Sequence, residues 1–65
     1  MRLKLLRTRC GLTQELLAAQ LGVTAQAIAR WESGKNPIPT KHLRKLAILL
    51  GTSVTELVAR TPSDQ

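Results

Sequence analysis

The segment from Thr13 to Gly34, TQELLAAQLGVTAQAIARWESG, constrains this chain more than any other feature. It reads as two short helices joined by a tight turn. Thr13 stands where a threonine oxygen can accept from the free N–H groups of a first helical turn. Leu17, Ala18 and Leu21 then fall on one helical face. Gly22 stands where that helix must end in a left-handed residue, a conformation that glycine adopts without strain. Thr24 is the next cap, Ile28 and Trp31 point inward at i, i+3, and Gly34 closes the second helix. Such a pair is a helix-turn-helix, a motif whose second helix enters the DNA major groove.

Sixty-five residues make one domain at most, with a modest core. Phe and Tyr are absent, so that core must be aliphatic and built around the single Trp31. One cysteine excludes an internal disulfide, and nothing suggests secretion. Cys10, just before Gly11, reads as a small buried or half-buried hydrophobe rather than a reactive thiol. The formal net charge of +6 is large for this size and implies a polyanionic partner, with nucleic acid favoured over an anionic membrane. The basic start, MRLKLLRTRC, lacks the long apolar stretch and cleavage site of a signal peptide, and no segment is long enough to span a bilayer. A cytoplasmic protein is the expectation.

Along the chain, helix one is predicted from about Arg2 to Arg9, with Leu3 and Leu6 inward and Arg2, Lys4 and Arg9 outward. Pro37 and Pro39 bar helix from the Lys35–Pro39 stretch, and Ile38 between them is expected to tuck into the core. Thr40 is read as the cap of helix four, where Leu43, Leu46, Ala47 and Leu50 repeat at i, i+3, i+4, i+7. Gly51 stops it. Ser53 to Glu56 reads as a capping box in which Glu56 reaches back to the Ser53 N–H. A fifth short helix follows to about Ala59. Residues 1–60 form the expected domain, and Thr61 to Gln65 a polar, frayed tail.

Gln26 and Arg30 lie one turn apart on the exposed face of the second helix of the motif. Glutamine can donate and accept together against adenine, and arginine forks onto guanine; alanine suits a thymine methyl or a close approach. Taken alone, Gln26 and Arg30 would read as solvated side chains. Within this turn geometry base contact is the preferred reading, with a phosphate as the other destination for Arg30. Gln14 opens the first helix of the motif, where its amide and the helix N-terminus can clamp a phosphate. His42 has no second metal ligand at a workable spacing and is read as a surface residue. Arg44 and Lys45 are read as a solvated face.

Gln14, the Leu-Gly-Val-Thr run from Leu21 to Thr24, Ile28 and the Trp31-Glu32-Ser33-Gly34-Lys35 run resemble the Cro and lambda-repressor type of helix-turn-helix, also called the XRE family. The resemblance covers about Leu3 to Leu57. It implies an all-α, compact five-helix lambda-repressor-like domain, usually dimeric, with the helix-turn-helix at helices two and three. Carried over by position, it implies base contacts from Ala25, Gln26 and Arg30, and phosphate contacts from Gln14, Thr24, Lys35, Asn36 and Lys41. It also implies an ion pair between Arg7 and Glu32 that ties helix one to the recognition helix; otherwise Arg7 would point to solvent like Arg9. Leu16 and Ile48 fall where the family pattern is usually polar. They are either simply exposed or, for Ile48 with Val54 and Val58, part of a self-association patch.

The expected function is sequence-specific binding of double-stranded DNA by a small transcriptional regulator, a repressor acting as a homodimer on a pseudo-palindromic operator. The rival readings are an antitoxin with the same fold and a toxin partner, and an interaction module that has lost DNA binding. Catalysis is not expected from one His, one Cys and four acidic residues with no recognisable pairing, and neither is a metal or another cofactor.

Overall fold

A computed structural model describes residues 2–58. Over that range the chain forms five helices, α1 (Leu3–Arg9), α2 (Gln14–Leu21), α3 (Ala25–Ser33), α4 (Thr40–Leu49) and α5 (Val54–Val58), with no strand among the described residues. The expected end of the fifth helix near Ala59 and the expected tail, residues 61–65, lie outside the described residues.

Each helix contributes one completely buried side chain to a common centre: Leu3, Leu17, Ile28, Leu46 and Leu57. Burial of a leucine or isoleucine contributes roughly 1.5–3 kcal/mol, so the centre depends on every helix being present. Trp31 packs beside this aliphatic set and Ile38, held between two prolines, closes it from the α3–α4 connection. The helices of the motif, α2 and α3, pack against each other more extensively than any other pair.

Four local expectations are corrected by the structure. Helix one starts at Leu3, one residue after the expected start, with Arg2 at the cap position and its carbonyl accepting from the Leu6 N–H at 2.9 Å; the Arg2 N–H donates to the Leu57 carbonyl at 3.2 Å, and its guanidinium turns onto the Glu56 carboxylate instead of facing outward. That pairing also opens the predicted capping box. The Glu56 backbone N–H donates to Ser53 Oγ at 3.0 Å, but the Glu56 side chain goes to Arg2 and not back to Ser53. Thr40 does not cap α4. Helical backbone begins at Thr40 itself, the cap position falls on Pro39, and Pro39 has no side-chain acceptor. Cys10 is exposed rather than buried. It follows the last residue of α1, and its thiol points to the Leu50 carbonyl at 3.5 Å.

Candidate nucleic-acid interface

The turn between α2 and α3 is built from local bonds that fix how α3 leaves α2. Gly22 is left-handed at φ +83°, and the N–H groups of Gly22 and Val23 both donate to the Ala18 carbonyl, at 2.8 and 3.0 Å. A Cβ on Gly22 would touch nothing, so the backbone angle alone selects glycine there. Two residues later Thr24 is extended, and its Oγ1 accepts from the Ala27 N–H at 3.1 Å. Thr13 does the same for Leu16 at 3.0 Å. With both helix starts capped and Leu17, Leu21, Ile28 and Trp31 buried, the opposite face of α3 is left to solvent.

That face brings Gln26 and Arg30 together. With Ala29, Ser33 and Lys35 they line a shallow depression of about 340 Å³ on the outer side of the recognition helix. The spacing 26, 29, 30, 33 is one helical stripe. Ala29 and Ser33 are the members that sequence reasoning missed, although extending the stripe from Gln26 by three and seven residues would have found them. Lys35 is carried to the same place by the way the chain leaves α3. Gly34 is left-handed at φ +80°, and the Lys35 N–H folds back onto the Arg30 carbonyl at 3.0 Å. Asn36 is exposed just after it. Lys41 is exposed at the start of α4, outside the depression. Ala25 is half-buried and packs against the core, so only part of its surface faces outward. Thr24 is exposed, with its oxygen accepting the cap bond and its hydroxyl hydrogen left to donate.

The acidic residue of α3 is turned away from this face. Glu32 Oε2 accepts from Arg7 Nε at 2.5 Å, and Oε1 accepts from Arg7 Nη2 at 3.3 Å and from Gln14 Nε2 at 2.9 Å. Arg7 also donates from Nη1 to the Leu12 carbonyl at 2.7 Å. The side chains of Arg7 and Glu32 retain only 9% and 6% of their exposure, so this is a buried pair supported by further hydrogen bonds, the arrangement in which removal of one partner is most costly. Gln14, first residue of α2, therefore spends part of its amide inside the protein. Among the described residues Arg2 and Arg7 are the cations in ion pairs, while Lys4, Arg9, Arg30, Lys35, Lys41, Arg44 and Lys45 stand exposed. The excess positive charge thus lies on the surface, where a polyanion can reach it.

A family model described as Helix-turn-helix matches residues 3–57. The chain belongs to the XRE-type helix-turn-helix family of DNA-binding domains. It is similar to an uncharacterized HTH-type transcriptional regulator of Sinorhizobium medicae, 33% identical over 97% of this chain and 45% of that protein. It is also similar to the HTH-type transcriptional activator BcrR of Enterococcus faecalis, 40% identical over 89% of this chain and 28% of that protein. A third relative is the SPbeta prophage-derived uncharacterized HTH-type transcriptional regulator YonR of Bacillus subtilis, 40% identical over 92% of this chain and 56% of that protein. The chain spans about half the length, or less, of the curated relatives it matches. No solved structure matches it.

The surface of this helix-turn-helix domain also carries aliphatic residues. Leu16 is 51% exposed on α2 and Ile48 is 72% exposed on α4, with Val54 and Val58 exposed on α5. α4 and α5 pack on each other, and Ile48, Val54 and Val58 are exposed residues of these two helices. His42 is not a free surface residue: it is half-buried, with its ring 5.7 Å from that of Trp31 and tilted by 37°. Among the described residues no helix is long and apolar enough to cross a membrane.

Proposed function

We propose that the domain binds double-stranded DNA in a sequence-specific manner and regulates transcription, as a homodimer on a two-fold symmetric site. One observation carries this reading. The outward stripe of α3 presents Gln26 and Arg30, with Lys35 beside them just past the helix, while the acidic group of the same helix is folded inward under Arg7. A surface meant for phosphates and base edges needs both features, because an unpaired carboxylate there would repel the DNA backbone. Phosphate contacts from Gln14, Thr24, Lys35, Asn36 and Lys41 supply affinity, and Gln26 and Arg30, with the exposed part of Ala25, supply discrimination.

One such domain buries too little surface to bind tightly alone, which favours two copies on half-sites about one helical turn apart. The exposed aliphatic residues Ile48, Val54 and Val58 at the α4–α5 end are the surface that would join them. Repression is the mode of regulation that occupancy alone produces, by excluding polymerase or another factor from the site. A relative named as an activator makes the sign of regulation a necessary part of the test.

Selection of bound duplexes from a random pool at two salt concentrations should return an inverted repeat, and a reporter placed downstream should fall in output. A non-repeated site would remove the dimer, and increased output would remove the repressor. Gln26→Ala should weaken binding to the selected duplex by about 1–3 kcal/mol while leaving random DNA nearly unaffected. Equal losses on both duplexes would take base reading away from Gln26. Lys35→Ala should weaken all sequences alike and lower the salt slope by about one unit. A wild-type slope in that variant would make Lys35 a solvated charge.

A further inference from the structure

Glu32 is joined to two elements besides its own helix, and the chemistry of its partners is directional. We propose that Glu32 is a positioning residue for DNA binding: its carboxylate fixes the Gln14 amide at the start of α2 so that an N–H of Gln14 is held ready for a phosphate. The proposal rests on the DNA-binding reading above and adds to it a residue that does not itself touch DNA.

A carboxylate beside an arginine only accepts hydrogen bonds. The Gln14 amide can therefore meet it with nitrogen alone, and the Nε2 to Oε1 distance of 2.9 Å is such a bond. One of the two N–H groups on Nε2 is consumed, the second remains, and the amide oxygen is turned away from Glu32. A free glutamine at this place would present oxygen or nitrogen to a phosphate, and would lose side-chain freedom on binding. Here the orientation is set before DNA arrives. The carboxylate in turn cannot swing, because Arg7 holds both of its oxygens and is itself anchored on the Leu12 carbonyl. Gln14 is also the first residue of α2, where the leading backbone N–H groups have no partner within the helix. The Leu16 N–H is taken by Thr13, so a phosphate at this end would meet the Gln14 side chain together with the first two backbone N–H groups. The chain of bonds thus runs from α1 through the recognition helix to the phosphate-facing end of α2.

The test is a double-mutant cycle on binding to the selected duplex at fixed salt, with Gln14→Leu, Glu32→Gln and both together, at a temperature where melting curves show each variant folded. In Glu32→Gln residue 32 can donate as well as accept, so the Gln14 amide loses its fixed orientation. Each single substitution should weaken binding about tenfold, the size of one hydrogen bond to a charged group, and the double variant should bind no worse than the worse single one. In a scan replacing single phosphates by neutral methylphosphonates, the wild-type protein should lose affinity at one phosphate per half-site to which both variants are indifferent.

Additive losses, or a Glu32→Gln variant that keeps the wild-type phosphate sensitivity, would overturn the proposal. If Lys35→Ala weakens binding but Gln14→Leu does not, DNA binding stands and the positioning role falls. If the wild-type protein binds no duplex, the underlying reading has failed and takes the proposal with it. Should Glu32→Gln not fold, the wild-type protein decides by NMR. The Gln14 side-chain amide proton bonded to Glu32 should be slow to exchange with solvent, and the other should shift when the duplex is added. A Gln14 amide that exchanges as fast as that of exposed Gln26 would overturn the proposal.

Discussion

In α2 and α3 the threonine before each helix places its hydroxyl oxygen on the third N–H of that helix, at 3.0 and 3.1 Å, whereas in α4 the threonine is already helical and the proline before it caps nothing. A second contrast lies between Glu32 and Glu56. Glu32, on the motif side, is held by an arginine and a glutamine and loses nearly all exposure. Glu56, at the α4–α5 end, meets Arg2 in a pair that leaves the two side chains 47% and 30% exposed. The motif side thus has a side-chain cap at both helix starts and a buried ion pair, whereas at the α4–α5 end α5 alone has such a cap, from Ser53, and the ion pair is partly exposed. The α4–α5 end buries Leu46, Ala47, Leu50 and Leu57 and keeps Ile48, Val54 and Val58 in solvent. The difference teaches where polar bonding is concentrated: on the pair of helices that pack most extensively against each other.

Trp31→Ala is the harshest way to break that contrast. The ring belongs to the motif side but also packs on His42 of α4, so its loss removes the link between the two ends as well as a large buried side chain. The expected cost is about 3–5 kcal/mol, much of the stability of so small a domain, read as a collapse of the melting temperature. An unchanged melting temperature would mean that the two ends do not depend on the ring.

Next is Arg7→Ala, which leaves Glu32 buried without its cation. A loss of about 3 kcal/mol is expected, against a negligible one for Arg9→Ala on the exposed face of the same helix. A double-mutant cycle on Arg7 and Glu32 sharpens the point, since a coupling energy indistinguishable from zero would remove the pair from the account of motif stability.

The smallest effect separates the two kinds of threonine. Thr24→Ala removes a cap and should lower stability by about 1 kcal/mol, while Thr40→Ala should stay within about 0.5 kcal/mol of the wild-type protein. Equal losses in chemical denaturation would mean that Thr40 contributes as a cap after all.

Much of the helical framework was legible because its signals are short-ranged. A glycine that must be left-handed, a threonine three residues before the N–H it accepts from, and two prolines that cannot be helical each act within one turn of chain. The outward stripe of α3 was legible in part for the same reason, through the i, i+4 relation of Gln26 and Arg30. The failures share a cause as well. Thr40 was misread because the residue before it, Pro39, takes the cap position without a side chain to use there. Glu56 was misread because Arg2, 54 residues away in sequence, outcompetes the nearby Ser53 N–H. Cys10 was misread because its apolar character predicts burial only where a neighbouring element covers it.

The sequence by itself determined five amphipathic or capped segments, the tight turn between the second and third, and an excess of positive charge. These follow from backbone preferences and hydrophobic spacing, which are properties of consecutive residues. Tertiary structure alone decided which ionisable groups meet. Nothing in the spacing of Arg7, Gln14 and Glu32 marks them as partners; Arg7 and Glu32 could be paired only through the family resemblance, and the Gln14 bond to Glu32 was not foreseen at all. Their bonds exist because α1, α2 and α3 converge on one small core, and polar groups brought to its edge and shut off from water must satisfy one another.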